Sequence, residues 1–189
     1  MKGLSLHIKK YLVSERNGQA LIESLIAVTV LVVGFLGIFN LLSQSLGLYR
    51  VTTENYAATY LAAEGIELAK NVIDSASIQN KEWTSVLPGG KYAMDLRTDV
   101  GPNQPKLCDS SPVSPCNKEL YFDPQSLTYS YDDTNGSPTS FKREISVQYL
   151  PTDAAHPEDQ VKVSSVVSWI GRGGGEFNVE LEDHFYRWR

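Results

Sequence analysis

Gly18-Gln-Ala-Leu-Ile-Glu-Ser-Leu-Ile-Ala-Val-Thr-Val-Leu-Val-Val-Gly-Phe-Leu-Gly-Ile-Phe39 is the stretch around which the chain is organised. After Glu23 the next charged residue is Arg50, so the 26 positions from 24 to 49 carry no charge. About twenty apolar residues span a bilayer as a helix, and this run is long enough. Its front end is unusual. Lys2, Lys9, Lys10 and Arg16 precede Gly18, and the lone Glu23 sits five residues past that glycine.

A carboxylate in an apolar run costs about 2.5–3.5 kcal/mol near a bilayer centre and less toward its edge. Either Glu23 lies shallow enough to stay wet, or it has a partner. A cut between Gly18 and Gln19 would create a new α-ammonium and make Glu23 the fifth residue of the mature chain. Carboxylate and ammonium from neighbouring copies would then neutralise each other, a pairing that sets register more than it adds stability.

A basic leader, a glycine, four residues, a glutamate and an apolar helix together resemble the class III signal of type IV prepilins and pseudopilins. In that family a membrane aspartyl peptidase cleaves after the glycine, and the new terminus is usually N-methylated. The subunits are then drawn from the membrane into a helical filament through their apolar helices. The resemblance makes Gly18 the cleavage glycine, Gln19 the first mature residue and Glu23 the neutralising glutamate. Two departures stand out. Gln19 and Ala20 occupy positions where the family usually has Phe or Met and often Thr, which leaves methylation of Gln19 open. The apolar segment also lacks the helix-kinking proline of major pilins.

The implied partners are other pilin subunits, the prepilin peptidase, the pilus assembly platform and, before assembly, membrane lipid. The implied location is the bacterial inner membrane, N-terminus inside, followed by an extracellular or periplasmic filament. A minor pilin or pseudopilin fits best, serving adhesion, motility, DNA uptake or secretion. The rival class is an uncleaved single-pass anchor presenting an extracytoplasmic binding domain.

At 189 residues the chain has room for residues 1–18 as a removable leader, one anchor helix and one domain. The leader's four basic residues and Glu15 give it +3; subtracting that from the −5 of the whole chain leaves −8. That acidity gives no support to nucleic-acid binding. A basic leader before an acidic remainder fits the positive-inside rule.

Beyond the assembly helix of residues 19–48, residues 49–74 read as its amphipathic continuation. Tyr56, Tyr60, Leu61, Ile66, Leu68, Ala69, Val72 and Ile73 recur at helical spacing, with Glu64, Glu67 and Lys70 as the polar face. No proline interrupts 19–74, so one helix of roughly 80 Å is expected. Residues 75–189 form the head, with a possible turn near Trp83 and a first strand at 91–98. Cys108 and Cys116 bracket a Ser/Pro-rich loop within an irregular stretch from 101 to 117, and in an exported domain they read as a disulfide. Short strands are expected at 119–122 and 127–131, a turn-rich loop at 132–138, and longer strands at 140–150, 160–170 and 177–186. The linkers at 151–159 and 171–175 make the last three an antiparallel meander. The fold class is therefore α+β, a long N-terminal helix packed on a C-terminal antiparallel sheet lying mainly in 119–186.

No catalytic, cofactor-binding or metal constellation is expected. His7, His156 and His184 lack partners at ligand spacing, and His184 reads as a strand residue on the solvated face. Gly171-Arg172-Gly173-Gly174-Gly175 lacks the Lys-Ser/Thr and following helix of a phosphate loop and reads as a hairpin connection. Asp132-Asp133 with Asn135 is too sparse for a calcium loop. Asn135-Gly136-Ser137 is formally a glycosylation acceptor, but Asn-Gly is first of all a turn. Tyr121, Phe122, Tyr129 and Tyr131 are expected to pair across the sheet.

Overall fold

The computed structural model describes residues 3–132, 134–151, 160–171 and 173–187, with side chains from Gly18 onward. His7 as a side chain, Asp133, His156, Arg172 and most of the 151–159 linker therefore lie outside the described residues. The chain divides into two compact units, Met1–Arg50 and Val51–Arg189.

The first unit is helical, the opening part of α1 (Gly3–Ile78). Every residue from Gly18 to Arg50 is exposed, including Leu21, Ile26, Val33, Phe35 and Phe39. The helix is long and apolar enough to cross a membrane.

The second unit packs the rest of α1 on a seven-stranded antiparallel sheet. The strands are β1 (Gly90–Ala93), β2 (Lys106–Leu107), β3 (Glu119–Asp123), β4 (Thr128–Ser130), β5 (Ser137–Leu150), β6 (Gln160–Ile170) and β7 (Glu176–Tyr186). β5 is the spine. Its residues 145–147 pair with β1 on one side, its first half pairs with β3 on that same side, and β6 runs along the other. β5, β6 and β7 form the expected meander.

Alternation places Val161, Val163, Ser165, Val167 and Trp169 of β6 on the buried face. Two apolar clusters lie between that face and the helix. One gathers Leu68, Ala69, Val72, Ile73 and Ala76 with Tyr92, Met94, Ile145, Val147, Val161 and Val163. The other gathers Ala58, Leu61 and Ala62 with Leu120, Phe141, Val167 and Trp169.

The helix does not stop at residue 74. Ala76 is still buried, and the helix ends where Asn80 takes the left-handed conformation (φ 51°). Lys81 N–H then donates to Ala76 O and Asn80 N–H to Ser77 O, the two bonds of a Schellman cap. The buried stripe also differs from expectation. Tyr56 and Tyr60 are exposed, Tyr60 by 75%, and the covered positions are Ala58, Ala62 and Gly65. Both rings lie on the side of the helix away from Leu61, Leu68 and Val72, and at Gly65 the sheet comes too close for any side chain. A Cβ on Gly65 would stand 2.3 Å from Ser165 Oγ and 3.1 Å from Arg143 Cδ. Gly65→Ala should therefore cost about 1–3 kcal/mol through overpacking, despite a helix-propensity gain of roughly 1 kcal/mol. Adding Ser165→Ala should recover most of that loss in denaturant unfolding; no recovery would mean the close approach is not the cause.

The short turn at Trp83 is α2 (Trp83–Val86), with the indole N–H donating to Ser77 Oγ. β1 ends at Ala93 rather than 98. Asp95 folds the chain back, accepting from Arg97 N–H through its carboxylate and from Thr98 N–H through its carbonyl. The stretch expected to be irregular contains β2, paired with Tyr92 and Ala93, and a 3-10 turn at Pro115–Asn117. β5 begins at Ser137, earlier than expected, because the β3 ladder continues there after a register shift between Glu119 and Tyr121.

Candidate functional site

Two groups of residues invite a functional reading, one in each unit. In the first unit Gly18, Gln19 and Glu23 follow one another along α1, all exposed, with Glu23 just over one turn beyond Gly18. Most of the polar side chains that interrupt the apolar run bond within the helix. Ser24 Oγ donates to Leu21 O, Thr29 Oγ1 to Ile26 O and Ser43 Oγ to Phe39 O. Gln44 Nε2 donates to Asn40 Oδ1. Hydroxyls bonded back to the preceding turn can enter an apolar medium at low cost. Glu23 is the only ionised group in that run, and no such bond is formed by its carboxylate among the described residues.

In the second unit a polar layer lies between the two apolar clusters. Arg143 of β5 is fully buried. Its Nη1 donates to Leu61 O of α1 (3.1 Å) and its Nη2 to Met94 O beyond β1 (2.8 Å). Glu64 of α1 stands 3.4 Å from Nη1, its side chain 27% exposed. The expected polar face of the helix is therefore not uniformly solvated: Glu67 and Lys70 pair at the surface, whereas Glu64 turns toward the sheet. Arg143 escaped the sequence reading. It lies in phase with Phe141 and Ile145, and that inward phase was the available clue.

Tyr131 closes the layer, its hydroxyl donating to Arg143 O at 2.9 Å. Burial pushes this phenol up to about 12 from an ordinary value of 10, outweighing the lowering effect of Arg143. The folded value lies above the unfolded one. The stability it contributes is complete below about pH 10 and lost as pH rises toward 12. Tyr131→Phe should flatten the alkaline limb of a stability-versus-pH curve over that window; an unchanged limb would assign it to another group, such as Tyr92, which burial also raises.

The cysteines are bonded, Cys108 to Cys116 with Cα atoms 5.7 Å apart. Nearby, a cavity of about 370 Å³ is lined by Asp95, Arg97, Lys106, Tyr131 and Asp132 among others. Hydrogen bonds from Thr134 and Arg97 hold the Asp132 carboxyl well below the usual carboxylate range. His184 lies on β7, its ring bonded to Gln160 and Glu182 across the outer face. Gly171–Gly175 links β6 to β7 through a turn closed by Gly171 N–H donating to Gly175 O, with Gly174 at φ 77°. Phe122 and Tyr129 pair across β3 and β4 as expected, 5.1 Å between centroids. Among the described residues no group of three or more His, Cys, Asp or Glu side chains converges on a metal-sized site.

Comparison with known protein families, with curated proteins and with solved structures finds no match to this chain.

Proposed function

We propose that this chain is a structural subunit of a type IV pilus-like filament, a minor pilin or pseudopilin rather than an enzyme. The observation that carries the reading is the exposed, charge-free helix entered through a basic leader, Gly18 and Glu23. Prepilin peptidase cuts after Gly18. The α-ammonium of Gln19 is then available to the Glu23 carboxylate of an adjacent subunit, so the one charge on the assembly helix is neutralised where water is excluded. A methyl group placed on Gly34 or Gly37 would meet no atom within 4 Å, and glycines three apart allow helices to approach closely. The α+β head and its disulfide suit an extracytoplasmic location.

The test is the mass and N-terminal residue of the protein isolated from membranes carrying a competent peptidase. A terminus at Gln19 is expected, and roughly 14 Da beyond the cleaved mass would mark one methyl group on the new amine. An intact Met1 or Lys2 terminus would overturn the filament reading and leave a single-pass anchor with an extracytoplasmic domain.

A further inference from the structure

We propose that Asn135 is a site of spontaneous covalent modification, where the exposed carboxamide is attacked by the backbone nitrogen of Gly136 and converted to aspartate and isoaspartate. Asn135-Gly136 lies in the connection between β4 and β5, with Asn135 exposed. Among the described residues nothing holds the Asn135 carboxamide. Asn55 Nδ2, by contrast, is fixed on Val51 O, and Asn117 Nδ2 on Ser111 O.

The fold requires the residue that makes this asparagine labile. A Cβ at position 136 would stand 2.7 Å from Tyr121 Cβ and 3.3 Å from Asp132 O, so only glycine fits against β3. Glycine also places no side chain in the path of its nitrogen toward Asn135 Cγ. The chain has a second Asn-Gly step, Asn17-Gly18, but it lies within α1, where the regular backbone keeps the following nitrogen from that approach.

The chemistry needs only water. The Gly136 N–Cγ bond forms, the Cγ–Nδ2 bond breaks, the Gly136 amide proton passes to the departing nitrogen and ammonia leaves. Water then opens the five-membered imide at either carbonyl. One opening gives aspartate; the other gives isoaspartate and adds a methylene to the main chain ahead of Gly136, two residues from the Ser137 that pairs with Phe122. Both add a negative charge near Asp132, whose carboxylate bonds Arg97 at 2.7 Å and Thr134. The modification is thus a slow, enzyme-free change of charge on the head, independent of whether the chain assembles.

The test incubates the full chain in detergent at mildly alkaline pH and follows the tryptic peptide Glu119–Lys142 by mass spectrometry with isoaspartate-sensitive fragmentation. Conversion at Asn135 is expected on the order of ten-fold faster than at Asn55 or Asn117, because no Cβ hinders the attack. Asn135→Gln should remove it. Gly136→Ala should slow it but risks unfolding the turn, so the glutamine variant and a urea-unfolded sample carry the decision. Conversion in urea without conversion in the folded chain, equal rates at all three asparagines, or no conversion in either state would each overturn the proposal.

Discussion

Replacing Arg143 with alanine should lower the unfolding free energy by about 3–5 kcal/mol, the range for breaking a buried charged pair from one side. The guanidinium has no exposure, and its loss leaves Met94 O without its donor and Glu64 without its counter-charge. Glu64 is partly exposed and can recruit water, which favours the lower half of that range. Arg143→Lys should be almost as damaging, because an ammonium cannot reproduce the planar fork that reaches Leu61 O and Met94 O together. Pairing Arg143→Met with Glu64→Leu should recover much of the stability, since apolar replacements of buried ion pairs are often neutral or better. Chemical denaturation of the detergent-solubilised chain measures all three. A loss below about 1 kcal/mol for the alanine variant would reduce the layer to a surface-like ion pair. The layer is not fully satisfied: among the described residues Arg143 Nε and Glu64 Oε1 meet no partner. A pair held at that cost suits a role in fixing the register of helix and sheet. Sliding α1 by one turn would set a bare guanidinium against an apolar cluster.

Glu23→Val should abolish incorporation into filaments while leaving membrane insertion intact. The substitution makes the helix more apolar, which favours the bilayer, so insertion does not suffer. On the filament proposal assembly suffers, because each Gln19 ammonium would enter the apolar filament core without a counter-charge. An unpaired buried charge costs several kcal/mol per subunit, and a loss of about 4 kcal/mol lowers an association constant roughly a thousand-fold. Separating sheared filaments from the membrane fraction and blotting for the variant reads both outcomes. Normal incorporation of Glu23→Val would remove the neutralisation mechanism; failure to insert would show that the glutamate acts earlier, in the membrane.

The large features were legible because they rest on local patterns. A charge-free run of this length admits few structures other than a helix in an apolar setting, and the unbroken 19–74 stretch left nothing to end it before the Asn80 cap. The strict alternation of Val161, Val163, Ser165, Val167 and Trp169 set the bounds of β6 correctly, because every second residue must face a core. Cys108 and Cys116, bracketing a Ser/Pro-rich loop in a domain expected to be exported, pointed to their bond. The short strands were harder. β2 has two residues, and its pairing to β1 comes from a loop return rather than from its own pattern.

The candidate assembly residues Gly18, Gln19 and Glu23 are read from the sequence, since their order along one helix is itself the pattern. The layer around Arg143 belongs to tertiary structure. At 3.6 residues per turn Ala58, Ala62 and Gly65 share a face with Leu61, Leu68 and Val72, whereas Tyr56 and Tyr60 fall on the far side, so a stricter use of the helical period would have left both rings outside. What the period does not show is how closely β6 approaches, which at Gly65 leaves no room for a side chain. In the same way, alternation in β5 says that residue 143 points inward, but a lone arginine is tolerable there only because Leu61 O and Glu64 of α1 and Met94 O beyond β1 converge on it from two segments remote in sequence. By itself the sequence determined the helix, the meander and the order of the candidate assembly residues, because those depend on neighbours along the chain. How closely the sheet meets the helix at Gly65, and how a charge is held beneath it, was decided by contacts that exist only once the sheet has closed on the helix.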